Sequence, residues 1–250
     1  MTHVPLSSFE GGKETMPLAY QLVTSTLRGL TGVLCRVNDT QLAKVPQRGP
    51  LILVINHVNF LEAPVVFPRL HPRPVTGFAK AETWDNPALR LLAELWDAIP
   101  LRRGEADVAA LRQALAALKA GHIVIVAPEG TRSGDGRLQR GQPGVAFLAL
   151  RSRAPLLPLV YYGGEHFWRN LPRLRRTDFH IVVGQPFHLQ ANRVTVDRRV
   201  RQQMADEIMY QIAALLPPPY RGVYSDLTTA TDSYLRFPPG AASNLVHVPD

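Results

Sequence analysis

Two rhythms of apolar residues alternate along this chain. Short unbroken runs at 51–56, 75–79, 98–101, 123–126, 155–162 and 179–183 read as strands. The purest is Ile123-Val124-Ile125-Val126, β-branched throughout and so suited to burial on both faces. Between the runs, apolar residues recur every three or four positions and predict helices over 63–70, 86–96, 105–120, 144–151 and 196–216. Leu89, Leu92, Ala93 and Trp96 are expected to face inward, as are Val108, Leu111, Leu115 and Leu118 in the next helix, which Gly121 stops. In the last helix the stripe is Val200, Met204, Ile208, Ile212 and Leu215. A further helix is predicted over 16–37 from Leu22, Val23, Leu27, Leu30, Val33, Leu34 and Val37. Only Arg28 and Arg36 charge it, so the pattern fits a core-packing helix or one lying on a bilayer surface.

Strands alternating with helices predict an α/β fold, a largely parallel central sheet flanked by helices, with an amphipathic helix at the N-terminus. The expected organisation is an N-terminal helical segment over 1–45, a candidate for membrane contact, then one domain over 46–216. An irregular tail rich in proline, serine and threonine occupies 217–250.

Charge narrows the partners. The net charge is +8, and arginine supplies most of the 28 basic residues. That balance suits phosphate groups, whether of nucleic acid, anionic lipid or a phosphorylated metabolite. A nucleic-acid role explains the charge but none of the motifs below, and no reading helix or aromatic platform accompanies it. The single Cys35 excludes an internal disulfide and a multi-cysteine metal site. No run reaches the ~18–20 apolar residues of a membrane span, and no signal peptide is recognisable, so a cytoplasmic placement is expected.

The chemistry centres on Asn56-His57-Val58-Asn59-Phe60-Leu61-Glu62. On one helix, His57 and Glu62 would lie about 140° apart. A strand ending near His57 and a helix starting near Glu62 let them meet. The carboxylate can then hold one imidazole nitrogen while the other takes a proton from an alcohol. Glu129-Gly130-Thr131-Arg132 follows another buried strand, where ligands of open α/β sheets gather. Arg132 could fork onto a phosphate, and Glu129 could accept from a substrate hydroxyl or orient Arg132. Arg102-Arg103-Gly104 offers a second phosphate clamp. Phe167-Trp168-Arg169 with Arg173, Arg175 and Arg176 mixes aromatic anchors with arginine, as an anionic lipid surface would require.

His57-x4-Glu62, Arg103-Gly104, Pro128-Glu129-Gly130-Thr131-Arg132 and Ala154-Pro155-Leu156-Leu157-Pro158-Leu159 stand in the order and spacing of four blocks. Over about residues 45–190 the chain thereby resembles the glycerophospholipid acyltransferases, the family of 1-acylglycerol-3-phosphate acyltransferase. The resemblance implies His57 as general base and Glu62 in the place of a supporting aspartate. It assigns Arg103, Glu129, Gly130, Thr131 and Arg132 to the acceptor's phosphate and glycerol, and Pro155 and Pro158 to the acyl side. It implies a fatty acyl group passing from acyl-CoA or acyl-carrier protein to the hydroxyl of 1-acylglycerol-3-phosphate, giving phosphatidate. No cofactor, metal or covalent enzyme intermediate is implied, and a peripheral association with the inner face of the membrane is. Another lysolipid or glycolipid acceptor, or a catalytically silent lipid- or carrier-binding protein, are the alternatives. Glu62, one methylene longer than aspartate, is the chief departure; on this resemblance Glu62→Asp is expected to keep or raise activity.

Overall fold

The computed structural model describes residues 18–102, 107–191 and 194–247. In chain order these form α1 (Leu18–Leu34), β1 (Cys35–Asn38), β2 (Leu51–Ile55), α2 (Glu62–Val66), β3 (Val75–Lys80), α3 (Pro87–Leu95), β4 (Ile99–Leu101) and α4 (Val108–Lys119). Then come β5 (Ile123–Val126), α5 (Gly144–Ser152), β6 (Leu156–Tyr162), α6 (Phe167–Asn170), β7 (Thr177–Val183), β8 (His188–Leu189), α7 (Arg198–Ala213) and β9 (Leu235–Arg236).

Seven strands make one sheet in the order β1-β7-β6-β2-β5-β3-β4. The five from β6 to β4 run parallel; β7 pairs antiparallel to β6, and β1 runs parallel to β7. The unbroken apolar runs fall at the centre for a physical reason. β2 and β5 lose both faces to helical layers, so every residue of each is buried. One face packs Leu51, Leu53, Ile55 and Ile123 with α1, α2 and Trp96. The other packs Ile52, Val54, Val124 and Val126 with α4, α5 and α7.

Three expectations change. The first helix ends at Leu34, and Val37 lies in β1, where it pairs with Phe179. Pairing against β7 overrides the helical rhythm there. Leu89 and Val108 are exposed, because α3 turns Ala93 inward and α4 buries the small face Ala110, Ala114, Ala117 with Leu118. In α1 the packed side carries Tyr20, Thr24 and Thr31, leaving Leu18, Leu22, Leu30 and Val33 exposed.

After α7 the chain is mostly short 3₁₀ turns, tied down by polar bonds. Tyr220 accepts from Leu138 N (2.9 Å), and Val223 N donates to Leu138 O (3.2 Å). Between them Gly222 has φ +53°, and a Cβ there would stand 2.0 Å from Leu138 O, so only glycine permits the approach. The buried Glu207 accepts from Thr231, Ser233 and Tyr234.

Candidate active site

β2 stops at Ile55, and the next side chain finishes its ladder. Asn56 Nδ2 donates to Tyr161 O (2.8 Å), and Tyr161 N donates to Asn56 Oδ1 (3.0 Å). The amide thus stands in for a peptide unit while the backbone turns away toward α2. Asn59 holds the turn: its Oδ1 accepts from Leu61 N (2.9 Å) and its Nδ2 donates to Gly164 O (2.9 Å). The turn brings His57 Nδ1 to 2.6 Å from Glu62 Oε2, and Asn59 N donates to Glu62 Oε1 (2.7 Å). The carboxylate can only accept, so Nδ1 carries the proton and Nε2 keeps its lone pair. The imidazole is 20% exposed and the carboxylate 6%. A substrate can therefore reach the ring while its partner stays dry.

One more side chain completes this arrangement. Tyr161, fully buried near the end of β6, accepts from Val58 N through its hydroxyl (2.8 Å). Burial first, then the Glu62 charge, push its phenol well above the ordinary range, so it keeps its proton beside the carboxylate. Its ring stacks on Phe179, with centroids 5.3 Å apart and planes 4° from parallel. Nothing in the motif pattern names Tyr161. Its only sequence signal is a hydroxyl at the end of an otherwise apolar buried strand, where it needs a partner.

The Glu129 loop is zipped onto the same turn. Glu129 Oε1 accepts from His57 N (2.7 Å) and Oε2 from Gln139 N (2.8 Å). Ser133 N and Gly134 N donate to the carbonyls of His57 (2.8 Å) and Val58 (3.0 Å). Glu129 is buried, and both its oxygens serve backbone donors rather than Arg132 or an open face. Gly130, with φ +70°, Thr131 and Arg132 are exposed beside it.

Burial pushes the Glu129 carboxyl up to about 7, from an ordinary 4.5, against the opposing pull of the Gln139 and His57 N–H groups. As pH rises, the unfolded carboxyl loses its proton first, and the folded one keeps it until about 7. Stability from this group is therefore full below about 4.5 and lost as pH approaches 7. The shift corresponds to about 3 kcal/mol. Denaturant unfolding at pH 5 and pH 8 should show the wild type losing about 2–3 kcal/mol more than Glu129→Gln. An equal response would mean that the carboxylate is already ionised at the lower pH.

Other predicted site residues lie elsewhere. Pro155 bonds through its carbonyl to Ile52 N (2.9 Å), at the opposite end of the sheet from His57. Pro158 is buried in register with Val54. Pro158 sits within β6 and Pro155 just before it, away from the carboxyl edge, because β6 starts where β2 starts. Arg103 lies outside the described residues. Among the described residues, no group of three or more His, Cys, Asp or Glu gathers to hold a metal.

Comparisons with known proteins bear on the family and the fold. A family model described as Acyltransferase matches residues 36–162, just over half the chain. A 1-acyl-sn-glycerol-3-phosphate acyltransferase of Limnanthes alba is 34% identical over 121 residues, covering 47% of this chain and 43% of that enzyme. The chain thus spans less than half the length of that plant relative. A lyso-ornithine lipid O-acyltransferase of Pseudomonas aeruginosa is 28% identical over 211 residues, covering 76% of this chain and 80% of that protein. The crystal structure of the 1-acyl-sn-glycerophosphate (LPA) acyltransferase of Thermotoga maritima shares the fold, with a TM-score of 0.55 and 22% identity over 76% of each chain. The chain belongs to the acyltransferase family.

Proposed function

We propose that this protein is an O-acyltransferase that moves a fatty acyl group from a thioester donor to the free hydroxyl of a lysophospholipid, with 1-acylglycerol-3-phosphate as acceptor and phosphatidate as product. The observation that carries the reading is the 2.6 Å contact between His57 Nδ1 and Glu62 Oε2 at the carboxyl end of β2. Nε2 takes the acceptor's hydroxyl proton as the oxygen attacks the thioester carbonyl, and Glu62 balances the imidazolium that forms. Collapse of the tetrahedral species expels the thiolate, and the proton held by His57 goes to it. The exposed Arg132 pairs with the acceptor's phosphate in this reading.

The donor is acyl-CoA or acyl-carrier protein. A second acceptor class, lysolipids with an amino-acid head group, is favoured by the match that spans 80% of a lyso-ornithine lipid acyltransferase. Thiol release from oleoyl-CoA, with lysophosphatidate, with lyso-ornithine lipid and with neither, tests the reading. Release that requires an acceptor supports it and ranks the acceptors. Folded protein that releases no thiol from oleoyl-CoA, or from an acyl-carrier donor put in its place, with either lysolipid is a silent binding protein.

The protein works at a lipid surface in this reading. Phe60, inside the His57–Glu62 turn, packs on Phe167 and Trp168, and Trp168 (62% exposed) and Leu174 (95%) face solvent. Arg176 donates to Gly32 O and Cys35 O at the end of α1, so this patch adjoins the exposed apolar side of that helix. Arg169, Arg173 and Arg175 surround it with positive charge. Among the described residues no helix is long and apolar enough to cross a membrane. Trp168→Ala/Leu174→Glu is expected to weaken binding to anionic liposomes at least tenfold in flotation. Undiminished flotation would place the membrane contact elsewhere.

A further inference from the structure

The first turn of α7 breaks a local rule. Arg198, Arg199 and Arg201 follow the N-cap Asp197, whose Oδ1 accepts from Val200 N (2.8 Å), and no acidic residue joins them. Cations at the positive end of a helix dipole are disfavoured. Arg198 and Arg199 also line an open cleft of about 570 Å³ with Arg140, Gly141, Gln142 and Gln202. No carboxylate ion-pairs with Arg140, Arg198 or Arg199 among the described residues. Asp206, one turn beyond Gln202 on α7, already accepts from Gln202 and Tyr224. Three arginines thus line a concavity at a helix end that itself repels cations, an arrangement that an anion relieves.

The cleft's position relates it to the candidate active site. Gln142 N donates to Pro128 O (2.8 Å), and Gln139 N to Glu129 Oε2, whose other oxygen holds His57 N. The loop that carries Arg140 and Gln142 is thus bonded to the loop that holds His57. A lysophosphatidate phosphate sits on the carbon next to the reacting hydroxyl, whereas a pantetheine arm sets the nucleotide of CoA many bonds away from the thioester.

Resting on the acyltransferase reading, we propose that this cleft holds the nucleotide end of an acyl-CoA, its 3′-phosphate and diphosphate paired with Arg140, Arg198 and Arg199. A concavity of this volume suits a small nucleotide. A carrier protein brings a single phosphate and needs a broader surface.

Free CoA does not react, so titration calorimetry on the full chain measures the site without turnover. An inactive enzyme and an empty cleft are then separate outcomes. Arg198→Gln/Arg199→Gln is expected to weaken CoA binding about 10- to 100-fold and to leave binding of pantetheine, which lacks the nucleotide, where it was. Its thermal unfolding should match or exceed the wild type, because two cations leave the positive end of α7. Arg140→Gln, outside that helix, should weaken CoA binding in the same direction, which keeps the test valid if α7 is disturbed. Equal CoA affinity in all three proteins overturns the assignment. So does an equal loss in Arg112→Gln/Arg151→Gln, which makes the same charge change on α4 and α5. Weakened binding of an acidic carrier protein or of anionic vesicles, with CoA affinity intact, overturns it too and gives the cleft to that partner.

Discussion

His57→Ala is expected to lower acceptor-dependent thiol release about 10³-fold or more, with thermal unfolding close to that of the wild type. The side chain and the backbone of this residue do different work. Its N–H and carbonyl fasten the turn to Glu129 and Ser133, and alanine keeps both bonds. Glu62 retains the Asn59 N–H after the imidazole is gone, so the buried carboxylate is not left without a donor. The imidazole is partly exposed, and its removal leaves no closed cavity beneath it. What the variant lacks is a group able to take the acceptor's proton. Initial rates of thiol release at saturating lysophosphatidate measure the loss. Activity above about a tenth of wild type would remove His57 as the base, since general-base catalysis is typically worth 10²–10⁴-fold.

The parts of this molecule that sequence reveals are those fixed by local pattern. Ile123–Val126 reads as a doubly buried strand because β-branched residues without a polar face have no other comfortable place, and it lies between β2 and β3. The meeting of His57 and Glu62 is legible because a five-residue separation closes only across a strand-to-helix turn, and that turn is present. What stays hidden depends on long-range pairing. Val37 continues a helical rhythm and yet belongs to β1, since Phe179 waits beside it on β7. Glu129 looks like a substrate ligand from its place after a strand. Only the fold shows that His57 and Gln139, one distant and one near in sequence, occupy both its oxygens. Tyr161 lies 103 positions beyond Val58, and its hydroxyl accepts from the Val58 N–H solely because β6 runs alongside β2. Sequence spacing cannot convey such neighbours.

Glu62→Asp is expected to lower kcat about 10²-fold, which reverses the expectation drawn from the family's aspartate. Sequence alone allows a shorter carboxylate to sit nearer the ideal position. The structure removes that freedom, because Glu62 is already seated by two groups at once. Oε2 is 2.6 Å from His57 Nδ1, and Oε1 accepts from Asn59 N at 2.7 Å. Removing one methylene withdraws the oxygens by about 1.5 Å. The donors cannot follow: Asn59 is tied to Gly164 O, and the main chain of His57 is fastened to Glu129 and Ser133. A misplacement of about 1 Å in such a constellation costs on the order of 10²-fold. Glu62→Gln keeps the length and removes the charge. Its amide can satisfy Asn59 N with oxygen only by turning NH₂ toward Nδ1, which forces the imidazole to carry its proton on Nε2, where the base is needed. The loss expected is about 10³- to 10⁴-fold, larger than for aspartate although the shape is conserved. Steady-state kcat for the three proteins therefore orders as Glu, then Asp, then Gln. If Asp equals or exceeds Glu, the turn re-seats itself around the shorter side chain, and carboxylate fit does not set the rate. If Gln retains near-wild-type turnover, the charge beside His57 has no part in the reaction, and His57 acts without a carboxylate partner.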